Sequence, residues 1–152
     1  MTPEQVMLVQ DSFKKVAPIA TTAADLFYDR LFAIAPELRP LFPDDMAEQK
    51  KKLIAMLAVA VTNLHQVNTI MSAVEELGKR HVAYGVMPAH YETVGSALLW
   101  TLEQGLGADF TPTVKAAWIN AYMTLAGVMQ SAAATLPPRK PAKRGFIARM
   151  FS

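Results

Sequence analysis

Three histidines, His65, His81 and His90, are the imidazoles this chain can offer to a metal or to acid–base chemistry, and they lie on three separate segments. A metal site built from protein side chains alone normally draws three or four closely spaced ligands. No HExxH pair occurs, and the chain has no cysteine, which excludes disulfides, thiolate catalysis, zinc fingers and iron–sulfur ligation by this chain. There is no GxSxG turn for a serine nucleophile and no glycine-rich phosphate loop. His81 stands apart from the other two. It continues the apolar series Ile70, Val74, Leu77, and so should face inward. An inward histidine must pair its ring nitrogens or bind something. At this point both options are open. His65, beside Leu64 near a helix end, and His90, in the first turn of a helix, are expected at the surface.

The elements that must position these residues read as helices throughout. Thr2-Pro3-Glu4-Gln5 has the form of a capping box with proline in the first turn. Val6, Val9, Phe13 and Val16 follow on one stripe, and Pro18 breaks the helix and opens the next. Ala24, Phe27, Leu31 and Ile34 give a second stripe. Pro36 and Pro40 bracket a short turn ending at Phe42. Pro43-Asp44-Asp45 should cap a third helix with Leu53, Leu57, Ala60 and Leu64 inward, and a break is expected at Gln66 to Asn68. The helix carrying His81 should end at Gly85, and Pro88 should begin another through Tyr91, Val94, Leu98 and Leu102. Gly105 and Gly107 end it, and Thr111-Pro112 opens the last helix, with Val114, Trp118, Ala121, Leu125 and Val128 inward. No β alternation, hairpin turn or internal repeat is visible. The expectation is an all-α domain of about six or seven helices.

With 152 residues, 52% hydrophobic and 18% charged, the chain can bury one core. A net charge of +2 gives no electrostatic case for nucleic acid. Residues 1–15 lack the apolar centre of a secretory signal, and a cytoplasmic protein is expected. Residues 116–138 are uncharged and long enough to span a bilayer. Their polar residues and alanines favour a buried helix instead. The division expected is a globular domain over residues 1–135 and a tail over 136–152. That tail has three prolines, five basic residues and no acid; removing its five charges from +2 leaves −3 for the rest. It reads as a basic appendage suited to weak contact with an anionic membrane or an acidic partner.

Five segments together resemble the bacterial single-domain haemoglobins and the globin domain of flavohaemoglobins. They are LFYDRLF (26–32), PELRPLF (36–42), LGKRHVAYGV (77–86), PAHYETVGSALLWTL (88–102) and VKAAWINAY (114–122). The resemblance covers about residues 3 to 130. It implies a globin fold around a haem pocket, with haem b as cofactor and O2, NO or CO as ligands.

The resemblance assigns His81 as the protein ligand to iron, because a short loop and a Pro-x-x-Tyr helix start follow it. His90 resembles a recurrent family histidine that is not the ligand. Leu77 should pack under the ring. The distal tyrosine corresponds to Tyr28, the distal glutamine to Gln49 and the distal apolar residue to Leu53. A phenol and an amide can both donate hydrogen bonds to a diatomic ligand carrying partial negative charge. Phe42 matches the phenylalanine that wedges against haem. Val94 joins the cofactor contacts, and Lys52 and Arg80 are candidates for the propionates.

The sequence departs from the pattern on the proximal side. The family links its histidine to a tyrosine, matched by Tyr91, and to a glutamate of the last helix. That glutamate should fall near Ala132 or Ala133, yet no Asp or Glu follows Asp109. A weaker push of electron density toward the iron is expected. Flavohaemoglobins continue into flavin and nicotinamide domains; here turnover is expected to need a separate reductase. Three functions follow from the resemblance: reversible storage or delivery of dioxygen, nitric oxide dioxygenase chemistry, and gas sensing through the tail.

Overall fold

The computed structural model describes residues 1–83 and 88–134, with the side chains of 81–83, 88 and 133 outside the described set. The expected end of a helix at Gly85 and the whole tail from 136 therefore lie outside the described residues. Among those described there are six α-helices and no strand: α1 Pro3–Val16, α2 Ala20–Ile34, α3 Ala47–Thr62, α4 Val67–Ala83, α5 Pro88–Leu106 and α6 Pro112–Ala133.

Local chemistry explains most of the boundaries. The Thr2 hydroxyl accepts from the Gln5 amide at 3.1 Å while the Gln5 side chain accepts from the Thr2 amide at 3.2 Å, closing the capping box of α1. Thr111 caps α6 in the same way, accepting from Val114 N at 3.2 Å with Pro112 in the first turn. At the start of α3, Asp45 accepts from Ala47 N at 3.0 Å, although the residue at the cap position is Met46. Gly107 stops α5 by taking φ +55, a conformation that suits a residue without Cβ.

Two details differ from the expectation. The break between α3 and α4 is a 3₁₀ turn over Leu64–Gln66, and α4 already begins at Val67. Ile34 is exposed, because it sits at the end of α2 where Ala35 and Leu38 take over the inward role.

The core runs through α1, α2, α3, α5 and α6, with Val9, Phe27, Leu31, Ala97, Ala117 and Trp118 almost sealed from solvent. The one indole nitrogen in this core is satisfied: Trp118 Nε1 donates to Ser12 Oγ at 2.8 Å, and Ser12 donates on to the Leu8 carbonyl at 2.7 Å. α4 lies against α6 at very short range. A Cβ on Gly78 would collide with the backbone carbonyl of Met129, so this crossing depends on glycine. The uncharged stretch of α6 is part of this packing. It buries Ala117, Trp118, Ala121 and Ala126 and exposes Asn120, Thr124 and Ser131. No single helix among the described residues is long and apolar enough to cross a membrane.

Candidate functional site

The packing leaves a cavity of about 200 Å³ between five helices and the turn over Pro36–Leu41. α2 contributes Phe27 and Leu31, the turn Leu38 and Leu41 with Phe42 behind it, and α3 Leu53, Met56, Leu57 and Ala60. α4 gives Val74 and Leu77, α5 gives His90, Tyr91, Val94 and Leu98, and α6 gives Tyr122, Leu125, Ala126 and Met129. The wall is almost wholly apolar. Such a surface suits an apolar ligand and offers few competing hydrogen bonds.

Five residues singled out from the sequence line this cavity: Phe42, Leu53, Leu77, Tyr91 and Val94. Tyr28 and Gln49 are brought together but stand behind the wall. The Gln49 amide donates to the Tyr28 hydroxyl at 3.1 Å, and the two side chains are 1% and 3% exposed respectively. The Tyr28 ring meets Phe27 edge-on at 4.9 Å and Phe42 at 5.7 Å between centroids, and both of those rings face the cavity. Burial pushes the Tyr28 phenol well above the ordinary tyrosine range, against a smaller opposing effect of the Gln49 hydrogen bond. The phenol thus stays protonated and able to donate. Gln49 Oε1 has no partner, a costly state for a buried carbonyl oxygen. Turning the amide over does not cure this, because an N–H pair would then be left in its place.

An ion pair borders the Tyr28–Gln49 contact. Lys50, next to Gln49, reaches Asp25, one turn before Tyr28, at 2.8 Å, and so links α3 to α2 at the level of the polar pair.

His81 lies on α4, but its side chain is outside the described residues. Its position follows Leu77 by four residues, so the helical repeat puts the two on one face. Leu77 is buried on the cavity wall. Lys52 is half-buried and Arg80 exposed, and neither is part of the wall. His65 is exposed, with its ring 2.6 Å from the Gln66 side-chain nitrogen.

His90 is a correction to the sequence reading. It is half-buried and lines the cavity, where burial lowers its pKa from the ordinary 6.5 and Glu37 acts weakly in the opposite direction. Tyr122 is the other polar residue not singled out beforehand. Its hydroxyl donates to the Tyr91 backbone carbonyl, and its ring would stand 2.8 Å from a Cβ on Gly95. The signal for Tyr122 was available, since it follows Trp118 by one turn. Burial pushes the Tyr91 phenol up to about 12 and raises that of Tyr122 further. Of Ala132 and Ala133, the positions near which the resemblance implied a glutamate, Ala132 is buried and the side chain of Ala133 lies outside the described residues. Among the described residues no group of His, Asp and Glu could hold a metal ion without a further cofactor.

The candidate site of this all-α fold is thus an apolar cavity among five helices with a buried tyrosine–glutamine pair behind its wall. The chain belongs to the globin family, whose model matches residues 25–129. It is similar to the flavohaemoprotein of Bacillus subtilis, 36% identical over 110 residues, covering 69% of this chain and 27% of the relative. The flavohaemoprotein of Vibrio cholerae is 29% identical over 133 residues, covering 84% and 33%. That of Xylella fastidiosa is 29% identical over 140 residues, covering 89% and 34%. The chain spans about a third of the length of these relatives. Among solved structures it resembles an engineered carbene transferase from Rhodothermus marinus whose parent is named as a candidate nitric oxide dioxygenase. The TM-score is 0.79 at 25% identity, over 89% of this chain and 94% of that one. Membership of this family implies a haem cofactor.

Proposed function

We propose that this protein binds haem b in the cavity among the five helices α2 to α6, with His81 as axial ligand, and reversibly holds dioxygen, and also NO or CO, on the side of Tyr28 and Gln49. The observation that carries the reading is the buried Tyr28–Gln49 pair beside an otherwise apolar cavity. Its hydrogen bonding is incomplete without a further polar group. When bound, haem supplies the metal centre at which a diatomic gas is held.

The chain's own residues do the rest. Tyr28 keeps its proton and can donate it as a hydrogen bond to a partly negative ligand. Gln49 orients the phenol and offers a second polar group. Phe42 and Leu53 exclude water from the same side, while Leu77 and Val94 pack against the ring system. Lys52 and Arg80 would meet the propionates at its edge. Tyr91, whose backbone carbonyl accepts from Tyr122, would support the His81 side, and the His81 ring N–H would bond a backbone carbonyl near Leu77 rather than a carboxylate. The domain carrying this function is residues 1–135. The basic tail, 136–152, is read as a separate appendage for weak contact with an anionic surface or an acidic partner.

The name of the Rhodothermus marinus protein favours a second reading, a nitric oxide dioxygenase. Nitric oxide, dioxygen and one electron give nitrate, and the electron would come from a separate reductase. The experiment is NO consumption by the haem-loaded protein under dioxygen, with and without a flavin reductase. Sustained turnover only with the reductase supports the enzyme. A single stoichiometric consumption, unaffected by the reductase, supports a gas-binding protein.

A further inference from the structure

Arg39 grips the corner on which the distal side of the cavity rests. Its Nη1 donates to the carbonyls of Phe42 at 3.4 Å and Pro43 at 2.9 Å, and its Nη2 to the carbonyl of Asp44 at 3.2 Å. The same guanidinium lies over the Phe32 ring, 5.2 Å from its centroid. Phe32 in turn stands 5.9 Å from the Tyr28 ring and 5.4 Å from the Phe42 ring. One cation therefore holds the backbone behind Phe42 and a ring that braces both Phe42 and Tyr28.

The corner needs such a donor. Phe42 is extended, with φ −110 and ψ 156, so residues 42–44 leave the turn before α3 begins at Ala47. Their carbonyls have left one helical ladder without entering the next. Pro43 contributes no N–H. A planar guanidinium presents five donors in a fixed fork and lies flat on an aromatic face at the same time, an arrangement that the compact three-donor ammonium of lysine reproduces only in part.

We propose that Arg39 is a positioning residue of the gas-binding site. It sets the tilt of Tyr28 and the seat of Phe42 from outside the cavity, touching neither the cavity nor its contents. The proposal rests on the reading of Tyr28 as hydrogen-bond donor to a bound gas. It adds that the angle of that donor is fixed by Arg39 through Phe32 and the 42–44 carbonyls. Hydrogen bonds weaken steeply away from linear geometry. A small loss of register should therefore be felt by a polar ligand such as dioxygen and little by carbon monoxide.

The test uses the full haem-loaded chain in five forms: wild type, Arg39→Met, Arg39→Lys, Tyr28→Phe, and the double variant Tyr28→Phe/Arg39→Met. Dioxygen and carbon monoxide dissociation rates, the stretching frequency of bound carbon monoxide and the melting temperature are measured. Arg39→Met should speed dioxygen dissociation by about fivefold to tenfold, the size of an indirect coupling. Carbon monoxide dissociation should change by less than about twofold, since its hydrogen bond is weak. The stretching frequency should move toward that of Tyr28→Phe. Arg39→Lys should recover part of the effect, and it serves as the measure if Arg39→Met fails to fold. In the Tyr28→Phe background the Arg39 substitution should add nothing to the dioxygen rate. A wild-type dioxygen rate and frequency in the Arg39 variants, with Tyr28→Phe altered, overturns this proposal alone. Equal acceleration of both gases, or a full effect persisting without the Tyr28 hydroxyl, also overturns it and leaves Arg39 a role in stability only. A wild-type dioxygen rate in Tyr28→Phe overturns both this proposal and the reading beneath it.

Discussion

Gln49 donates to the Tyr28 hydroxyl at 3.1 Å from a side chain that is 1% exposed, joining α3 to α2 across 21 residues of sequence. The phenol is an acceptor in this bond, so its own proton remains to be given. Burial keeps that proton in place far above neutral pH. A hydrogen bond to a partly charged acceptor is worth about 1.5–3 kcal/mol. Tyr28→Phe should therefore raise the dioxygen dissociation rate by roughly one to two orders of magnitude. Carbon monoxide, less polar when bound, should respond much less. Stopped-flow displacement of each gas measures both rates, and identical dioxygen rates in variant and wild type would remove Tyr28 from the site.

His90 gives the protein an acid-side weakness. Its pKa is lowered from 6.5 chiefly by burial in the cavity wall. Below that ordinary value the unfolded chain binds more protons than the folded one, so stability must fall with pH. The loss begins as the pH drops under 6.5 and continues through the lowered pKa. His90→Gln lacks this titration. Urea midpoints at about pH 7.5 and about pH 5.5 bracket the window of an ordinary histidine. The wild type should lose more stability between them than His90→Gln does. Parallel losses would mean that His90 is solvated in the folded protein.

Gly78 permits the close crossing of α4 and α6, while Gly127, also in a helix, has open space around its missing Cβ. Gly78→Ala forces the helices apart and should cost about 1–3 kcal/mol, or a melting temperature lower by roughly 3–10 °C. Because α4 carries His81, haem should also be released more readily. Gly127→Ala should leave stability unchanged or raise it by up to about 1 kcal/mol through helix propensity. Calorimetry of the two variants decides the matter, and a wild-type melting temperature for Gly78→Ala would contradict the crossing described.

Local signals were legible in the sequence because they act over three or four residues. The capping box of Thr2 and Gln5, the cap at Thr111 and the start of α5 at Pro88 all stand where the side chains dictate. The break after α3 was displaced toward the N-terminus, since Asn63 and the turn at Leu64–Gln66 carry no proline or glycine to mark them. Five cavity residues, Phe42, Leu53, Leu77, Tyr91 and Val94, were legible through the family pattern. His90 was not, because a first-turn histidine reads as solvated until the turn at Leu38 and Leu41 is laid against it. Arg39 was hidden for a related reason. Its partners are backbone carbonyls and a ring of another helix, and sequence alone does not display either. The missing acid near Ala132 was legible as an absence. That Tyr122 anchors the backbone of Tyr91 on that side needed the helix packing.

The visible absorption spectrum of the protein titrated with haem, run for wild type, His81→Ala and His90→Ala, tests haem binding at His81 most directly. Wild type should give a sharp Soret band saturating at one haem per chain. His90→Ala should keep it, and His81→Ala should lose haem readily and show a spectrum close to that of unligated haem. A wild type without a Soret band, or a normal spectrum for His81→Ala beside a lost one for His90→Ala, would contradict the account.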